Sequence, residues 1–336
     1  MKKLLSIVLC VVMLLSAMVL SGCTKAEPLK FGMGVHSYIE KVTNADGDTN
    51  GSGEAATTVA AVLLDKDGKI VKCAIDTMAN KVAFTSEGKF VEAGEFKTKY
   101  ELGNDYNMKA FGGAKKEWFE QVDALTALVA GKTIDEVKAL VAKDYKGTED
   151  VINAGCTIYI SDFVLAIEKA VKNAVESEAT KDDTLKLGIV SAQADSKDAT
   201  EEAEGVNEVD TTIVAAVVNK DGKVVVSSTD ALQAKFKFDA KGAATVEKGA
   251  AITTKKELGT NYNMAKYGQD LNKDGVVKEW FEQAAAFDAA CAGKTASEIS
   301  ALAIDTGYGV ESLQTAGCTM HVSDMIKAAV KAATVA

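Results

Sequence analysis

The chain repeats itself once, with a period of about 160 residues, far longer than the unit of a solenoid. That repeat limits the fold to two copies of one domain. Lys30-Phe31-Gly32 answers to Lys186-Leu187-Gly188, and the run Thr57 to Val62 with Asp65-Lys66-Asp67-Gly68-Lys69 answers to Thr212 to Val217 with Asn219-Lys220-Asp221-Gly222-Lys223. The register holds further on. Glu101-Leu102-Gly103-Asn104-Asp105-Tyr106-Asn107-Met108 matches Glu257-Leu258-Gly259-Thr260-Asn261-Tyr262-Asn263-Met264, and Glu117-Trp118-Phe119-Glu120-Gln121 matches Glu279-Trp280-Phe281-Glu282-Gln283. Ala154-Gly155-Cys156-Thr157 then matches Ala316-Gly317-Cys318-Thr319. The polar stretch from Glu176 to Thr184, rich in charge, reads as a linker. Copy one therefore spans 31–176, the linker 177–185 and copy two 186–336.

Within each copy, β-branched runs flank Lys-Asp-Gly-Lys, which predicts two strands joined by a tight turn with Gly68 or Gly222 at positive φ. The second half of each copy is helical. A helix from Glu117 ends near Gly131, and Thr133 with Glu136 three positions on forms a capping box; Gly293, Thr295 and Glu298 repeat the device in copy two. The last helix is expected to start at Ser161 or Ser323, the hydroxyl serving as cap and Asp162 or Asp324 suiting the dipole. Phe163, Ile167, Val171 and Val175 form its expected buried stripe. Strands followed by helices predict an α+β domain, a mainly antiparallel sheet with helices on one face. Each copy is long enough to fold alone.

At the N-terminus, Lys2 and Lys3 precede an apolar run from Leu4 to Leu20 that ends in Leu20-Ser21-Gly22-Cys23. This reads as a signal peptide, 1–22, whose end resembles the lipobox of bacterial lipoproteins; the alternative is an uncleaved membrane anchor. Cleavage leaves Cys23 as the lipidated first residue, with 23–30 as a tether. More than one acyl chain on Cys23 gives stable anchoring in the bilayer, at the outer face of the cytoplasmic membrane.

Beyond that point the apolar residues are dispersed, as in a soluble body. Acidic residues outnumber basic ones, 48 to 38, so nothing suggests the basic face that nucleic acid requires, and no nucleic-acid partner is expected. Of six cysteines, Cys10 and Cys23 belong to the leader and lipid site. The others, Cys73, Cys156, Cys291 and Cys318, match no zinc template and are too sparse for a disulfide framework. Asp270-Leu271-Asn272-Lys273-Asp274-Gly275 mimics half a calcium loop but has Phe281 where the pattern expects an acid; Asp46, Asp48 and Asn50 form a similar acidic loop. His36 and His321 occupy different places in the two copies and are poor candidates for a catalyst or a metal ligand. No Gly-rich phosphate loop, nucleophile elbow or paired-carboxylate motif is found in the sequence.

The duplicated Ala-Gly-Cys-Thr, ahead of the last helix, resembles the Ser-Gly-Ala-Thr of the FMN-binding domain of respiratory flavoproteins. In that family the Thr hydroxyl is esterified to the phosphate of FMN by a flavin transferase, and Thr157 and Thr319 fall on that Thr. The strand-turn-strand, the Tyr-Asn-Met segment and the Glu-Trp-Phe-Glu-Gln helix also look like the family, so the likeness covers most of both copies. It extends to two-domain flavinylated lipoproteins with which Gram-positive bacteria pass electrons outward from a membrane quinol or NADH dehydrogenase. Ala154 and Ala316 stand where the family has Ser, Cys156 and Cys318 where it has Ala, and Ser161 and Ser323 lie further beyond the Thr than the family's hydroxyl.

The resemblance implies two covalent FMN groups per chain. Gly155, Cys156, Gly317 and Cys318 then flank the attachment points, and Tyr106, Met108, Tyr262 and Met264, with Trp118 and Trp280, supply aromatic and polarizable groups for the flavin ring. A phosphate on the Thr would lie near the amino end of the last helix, which favours an anion. The bland readings are that both Thr are turn residues, both Trp core anchors and both Cys small buried side chains. On the flavin reading the protein is an electron carrier rather than a catalyst with its own substrate. Two rivals stand beside it. One is a non-redox duplicated binding lipoprotein for a small ligand or a cell-wall component, and the other a reductase acting at its own flavin.

Overall fold

The computed structural model describes residues 27–266 and 277–334. The leader, Cys23 and the Asp270–Gly275 loop lie outside the described residues. Each copy contributes three long antiparallel strands: β1 (Lys30–Thr43), β2 (Gly51–Leu64) and β3 (Ile70–Phe84), then β6 (Thr184–Lys197), β7 (Gly205–Val218) and β8 (Val224–Phe238). Two-residue strands, β4 (Phe90–Val91) and β5 (Val175–Glu176), extend the first sheet on β3 and β1. The expected hairpins form as read. Gly68 and Gly222 have φ of 76° and 72°, and the Asp65 and Asn219 side chains accept from the turn amides. The expectation of an α+β fold holds.

Two long helices cover the outer face of each sheet, α1 (Trp118–Val129) and α2 (Ser161–Lys172) in copy one, α3 (Trp280–Cys291) and α4 (Ser323–Ala333) in copy two. Period-2 alternation along β2 shows how the sheet divides its side chains between two neighbours. Ala60, Val62 and Leu64 pack under the helices with Trp118, Leu125 and Ile167. Val59, Ala61 and Leu63 point the other way, against Ile213, Ala215 and Val217 of copy two. The two sheets therefore stack face to face, giving four layers, helix, sheet, sheet, helix.

Equivalent residues exchange contacts across the seam, as in an isologous dimer. The Ala45 amide donates to Gly242 and the Ala199 amide to Gly88, at 2.8 and 2.7 Å. Lys169 pairs with Glu257, and Lys331 with Glu101. Phe84 stacks on its own counterpart Phe238, ring centroids 4.6 Å apart, so this pair sits on the pseudo-two-fold axis. Gly32 and Gly188, repeated in the sequence, are explained by the helices: a Cβ there would come within 2.1 Å of the Ala170 carbonyl and 1.9 Å of that of Ala328.

Three expectations change. Residues 177–185 are not a loose linker: Ala179 is fully buried in the seam and its carbonyl accepts from the Leu29 amide, while Thr180 and Asp183 close a turn ahead of β6. Ser161 and Ser323 do not cap the last helices but begin them; Ile160 and Val322 hold the cap positions with no side-chain cap bond. The reason is burial, since both cap residues are fully enclosed in the core. Val175 leaves the helical stripe, because α2 ends at Lys172 and Val175 pairs with Phe31 in β5. The buried face is Phe163, Val164, Ala166, Ile167 and Ala170. The expected boundaries at Gly131, Thr133 and Thr295 are as read.

Leu63 is fully buried where the sheets meet. Leu63→Ala is expected to lower unfolding free energy by about 2–5 kcal/mol in a urea titration, with both copies melting in one transition. A second transition at the wild-type midpoint would show that the copies unfold independently.

Candidate functional site

In copy one, the helix Glu149–Ala154 ends at Gly155, whose φ of 105° lets its amide donate back to the Ile152 carbonyl. A side chain there would be strained. Cys156 follows, fully buried, and turns Thr157 outward, where it is exposed. The Thr157 amide and hydroxyl both donate to Gln121 Oε1, at 2.8 and 3.0 Å. Gln121 is itself buried and held by α1: its Nε2 donates to the Lys116 carbonyl at 3.1 Å and to Met108 Sδ at 3.2 Å.

Copy two rebuilds the same bed from its own residues. Gly317 has φ 101°, Cys318 is fully buried and Thr319 is exposed. The Thr319 amide donates to Gln283 Oε1 at 2.8 Å and its hydroxyl at 3.3 Å, and the Met320 amide joins at 3.1 Å. Gln283 Nε2 donates to the Lys278 carbonyl at 2.9 Å and Met264 Sδ at 3.6 Å.

A lysine stands beside each hydroxyl-bearing turn. A Cβ on Gly155 would lie 2.2 Å from Lys116 Nζ, and one on Gly317 2.3 Å from Lys278 Nζ. The glycines thus leave room for an ammonium group beside Gly155 and Gly317, two residues ahead of Thr157 and Thr319. Neither the lysines nor the glutamines were singled out from the sequence, although Gln121 and Gln283 end the repeated Glu-Trp-Phe-Glu-Gln. Their signal was the repeat itself: a polar residue kept twice on a helical face that turns out to be buried.

The other expected site residues divide. Met108 and Met264 join the glutamine network. Tyr106 and Tyr262 pack at the edge of the core, and no hydrogen bond among the described residues ties them to that network. Lys99 Nζ lies 5.2 Å from the Tyr106 ring centroid and Lys255 Nζ 4.9 Å from that of Tyr262. Trp118 and Trp280 are buried core anchors. Burial pushes the Cys156 and Cys318 thiols up to about 11, so they stay protonated at neutral pH. The Tyr-Asn-Met segment has a backbone role as well: Asn107 and Asn263 adopt left-handed φ of 57° and 59°, and buried Glu117 accepts from the Met108 amide at 2.8 Å.

The surroundings of the two threonines differ. In copy one, exposed Tyr159 lies under Lys146 Nζ, 5.5 Å from its ring centroid. In copy two, His321 takes the place of Tyr159 and packs on Tyr308, ring centroids 4.1 Å apart.

No family model matches the chain, and no solved structure matches it. Over an alignment of 100 positions that covers 26% of this chain, the sequence is 39% identical to a chlorophenol reductase of Desulfitobacterium hafniense. The match spans 30% of that protein's length. No described helix is long and apolar enough to cross a membrane.

Gln121→Leu is expected to free the Thr157 amide, raising its hydrogen-exchange rate about tenfold while costing about 1 kcal/mol of stability. Thr319 should be unaffected. An unchanged Thr157 exchange rate would mean that Gln121 does not hold this turn.

Proposed function

We propose that the chain is a lipid-anchored electron carrier on the outer face of the cytoplasmic membrane, with FMN esterified through its phosphate to Thr157 and Thr319. The observation that carries this is the twofold presentation of an exposed threonine hydroxyl on a buried glutamine, with a lysine ammonium group alongside. Each hydroxyl spends its hydrogen on the glutamine oxygen, which leaves its lone pairs facing outward. Before modification the buried glutamine fixes the hydroxyl in position, and accessibility admits a flavin transferase; esterification replaces the hydroxyl hydrogen, after which the Thr157 and Thr319 amides keep the bond to the glutamine.

A phosphodiester formed at either threonine carries one negative charge, which Lys116 or Lys278 offsets. When bound, FMN supplies one- and two-electron chemistry. The chain's own part is to hold the phosphate, fix the group's position and keep neighbouring thiols protonated. Met108 and Met264, adjacent to the glutamines, offer polarizable surface. Acylation of Cys23 keeps the carrier beside a membrane donor, a quinol or NADH dehydrogenase. The partial likeness to a protein named as a reductase agrees with a redox role.

The experiment is intact mass and visible absorption of residues 24–336, exported together with an active flavin transferase. Two FMN additions are expected, with Thr157→Ala and Thr319→Ala each removing one. A colourless, unmodified product would overturn the proposal in favour of a duplicated binding lipoprotein.

A further inference from the structure

The pseudo-two-fold gives the seam two equivalent margins, one where β3 meets β6 and one where β8 meets β1. The duplication makes them comparable position by position. Val62 faces Cys73 across the first sheet as Ala216 faces Ser227 across the second, so the strand register shifts the sequence match of Val62 with Val217 by one residue. Asp76 accepts the Tyr100 amide as Asp230 accepts that of Lys256, and Thr126 and Asp288 lie equally far beyond Trp118 and Trp280.

The β8 side is filled by its own side chains. Lys256 Nζ donates to Ser228 Oγ at 2.9 Å and lies 3.8 Å from Asp288 Oδ2. Asp288 accepts from Thr229 Oγ1 at 2.6 Å, the Thr229 amide at 3.0 Å and Ser227 Oγ at 3.2 Å. On the β3 side this network is replaced by Cys73, Ala74, Ile75, Tyr100 and Thr126, which are shorter, apolar or turned aside. They leave a cleft of about 750 Å³, within the usual range of small-molecule sites.

Its walls are apolar, from Ile75 and Val122 of copy one and Leu185, Leu187 and Val330 of copy two. Its charges are unevenly spent. Lys331 is taken up by Glu101 and the Ile189 carbonyl, and Lys186 by the Thr334 carbonyl. Asp76 and Asp123 have no ion-pair partner among the described residues; Asp76 accepts backbone amides and Asp123 accepts the Tyr100 hydroxyl. The lining carries three carboxylates, Asp76, Glu101 and Asp123, against two ammonium groups, Lys186 and Lys331, and an apolar hollow with that surplus of negative charge fits a cation on an apolar body.

We propose that this cleft is a binding site for a small organic ammonium compound, its apolar body between Ile75, Val122 and Leu187 and its cationic head on Asp123. The inference is independent of the flavin reading: it rests on the cleft that stands open on the β3 side, whose counterpart on the β8 side is filled by Lys256 and Asp288.

The test is titration calorimetry of residues 24–336 with 2-phenylethylammonium, 2-phenylethanol and 3-phenylpropanoate, which share an apolar body and differ in head charge. The ammonium compound is expected to bind about tenfold more tightly than the other two. Asp123→Asn, at an exposed position, should remove most of that preference. Transplanting the plug of copy two with Ala74→Ser, Tyr100→Lys and Thr126→Asp should abolish binding of all three. Equal binding of the three compounds, no binding of any, or an unchanged preference in Asp123→Asn would each overturn the proposal.

Discussion

The stacking of the two sheets through their inner faces is the constraint from which the rest follows. A three-stranded antiparallel sheet with helices on one side leaves its second face open, and here that face is lined by Phe31, Met33, Val35, Val59, Ala61 and Leu63. A patch of that kind needs a partner. The other copy supplies it, through Ile213, Ala215, Val217 and Leu232. Buried hydroxyl and amide pairs are threaded into the same plane, such as Asn80 Nδ2 on Thr211 Oγ1 at 2.8 Å, so the register of one sheet on the other is specified as well as driven. The outer ion pairs, partly exposed, add orientation more than stability.

This arrangement assigns the inner faces to cohesion and the outer layers to chemistry. Both threonine turns lie between helices on the outside of their sheets, so both copies can use the same bed of Gln, Met and Lys without competing for space. The seam is also where the copies diverge. A lysine and an aspartate close one marginal cleft, and small or apolar residues leave the other open. Duplication has thus kept the threonine beds alike and let the clefts differ.

Local signals in the sequence were strong wherever a single residue type was demanded by the backbone. Gly68, Gly131, Thr133 and their counterparts marked turns and caps that need positive φ or a side-chain acceptor, and they mark the observed boundaries. The first strand of each copy was not foreseen as a strand. In β1 the period-2 run Phe31, Met33 and Val35 is present, but the residues between them, Gly32 and Gly34, are kept small for close helix contact, so no β-branched enrichment marks the strand. The seam was illegible for a related reason: β2 is apolar on both faces, and composition does not say which neighbour covers the second. Polar residues 177–185 looked like a linker because Ala179, the one that is fully buried, is small. Thr157 and Thr319 were visible through the repeat, whereas Gln121 and Gln283 acquire their meaning only when α1 and α3 bring them under those turns.

The claim that the two threonine beds ride on one folded body, held by the sheet seam, is tested most directly by producing residues 27–183 alone. Size-exclusion chromatography and denaturant unfolding should find a chain that pairs with a second copy of itself or precipitates, with no cooperative transition as a monomer. A soluble monomer that unfolds cooperatively would contradict the account, showing that copy one does not need the other to cover its inner face.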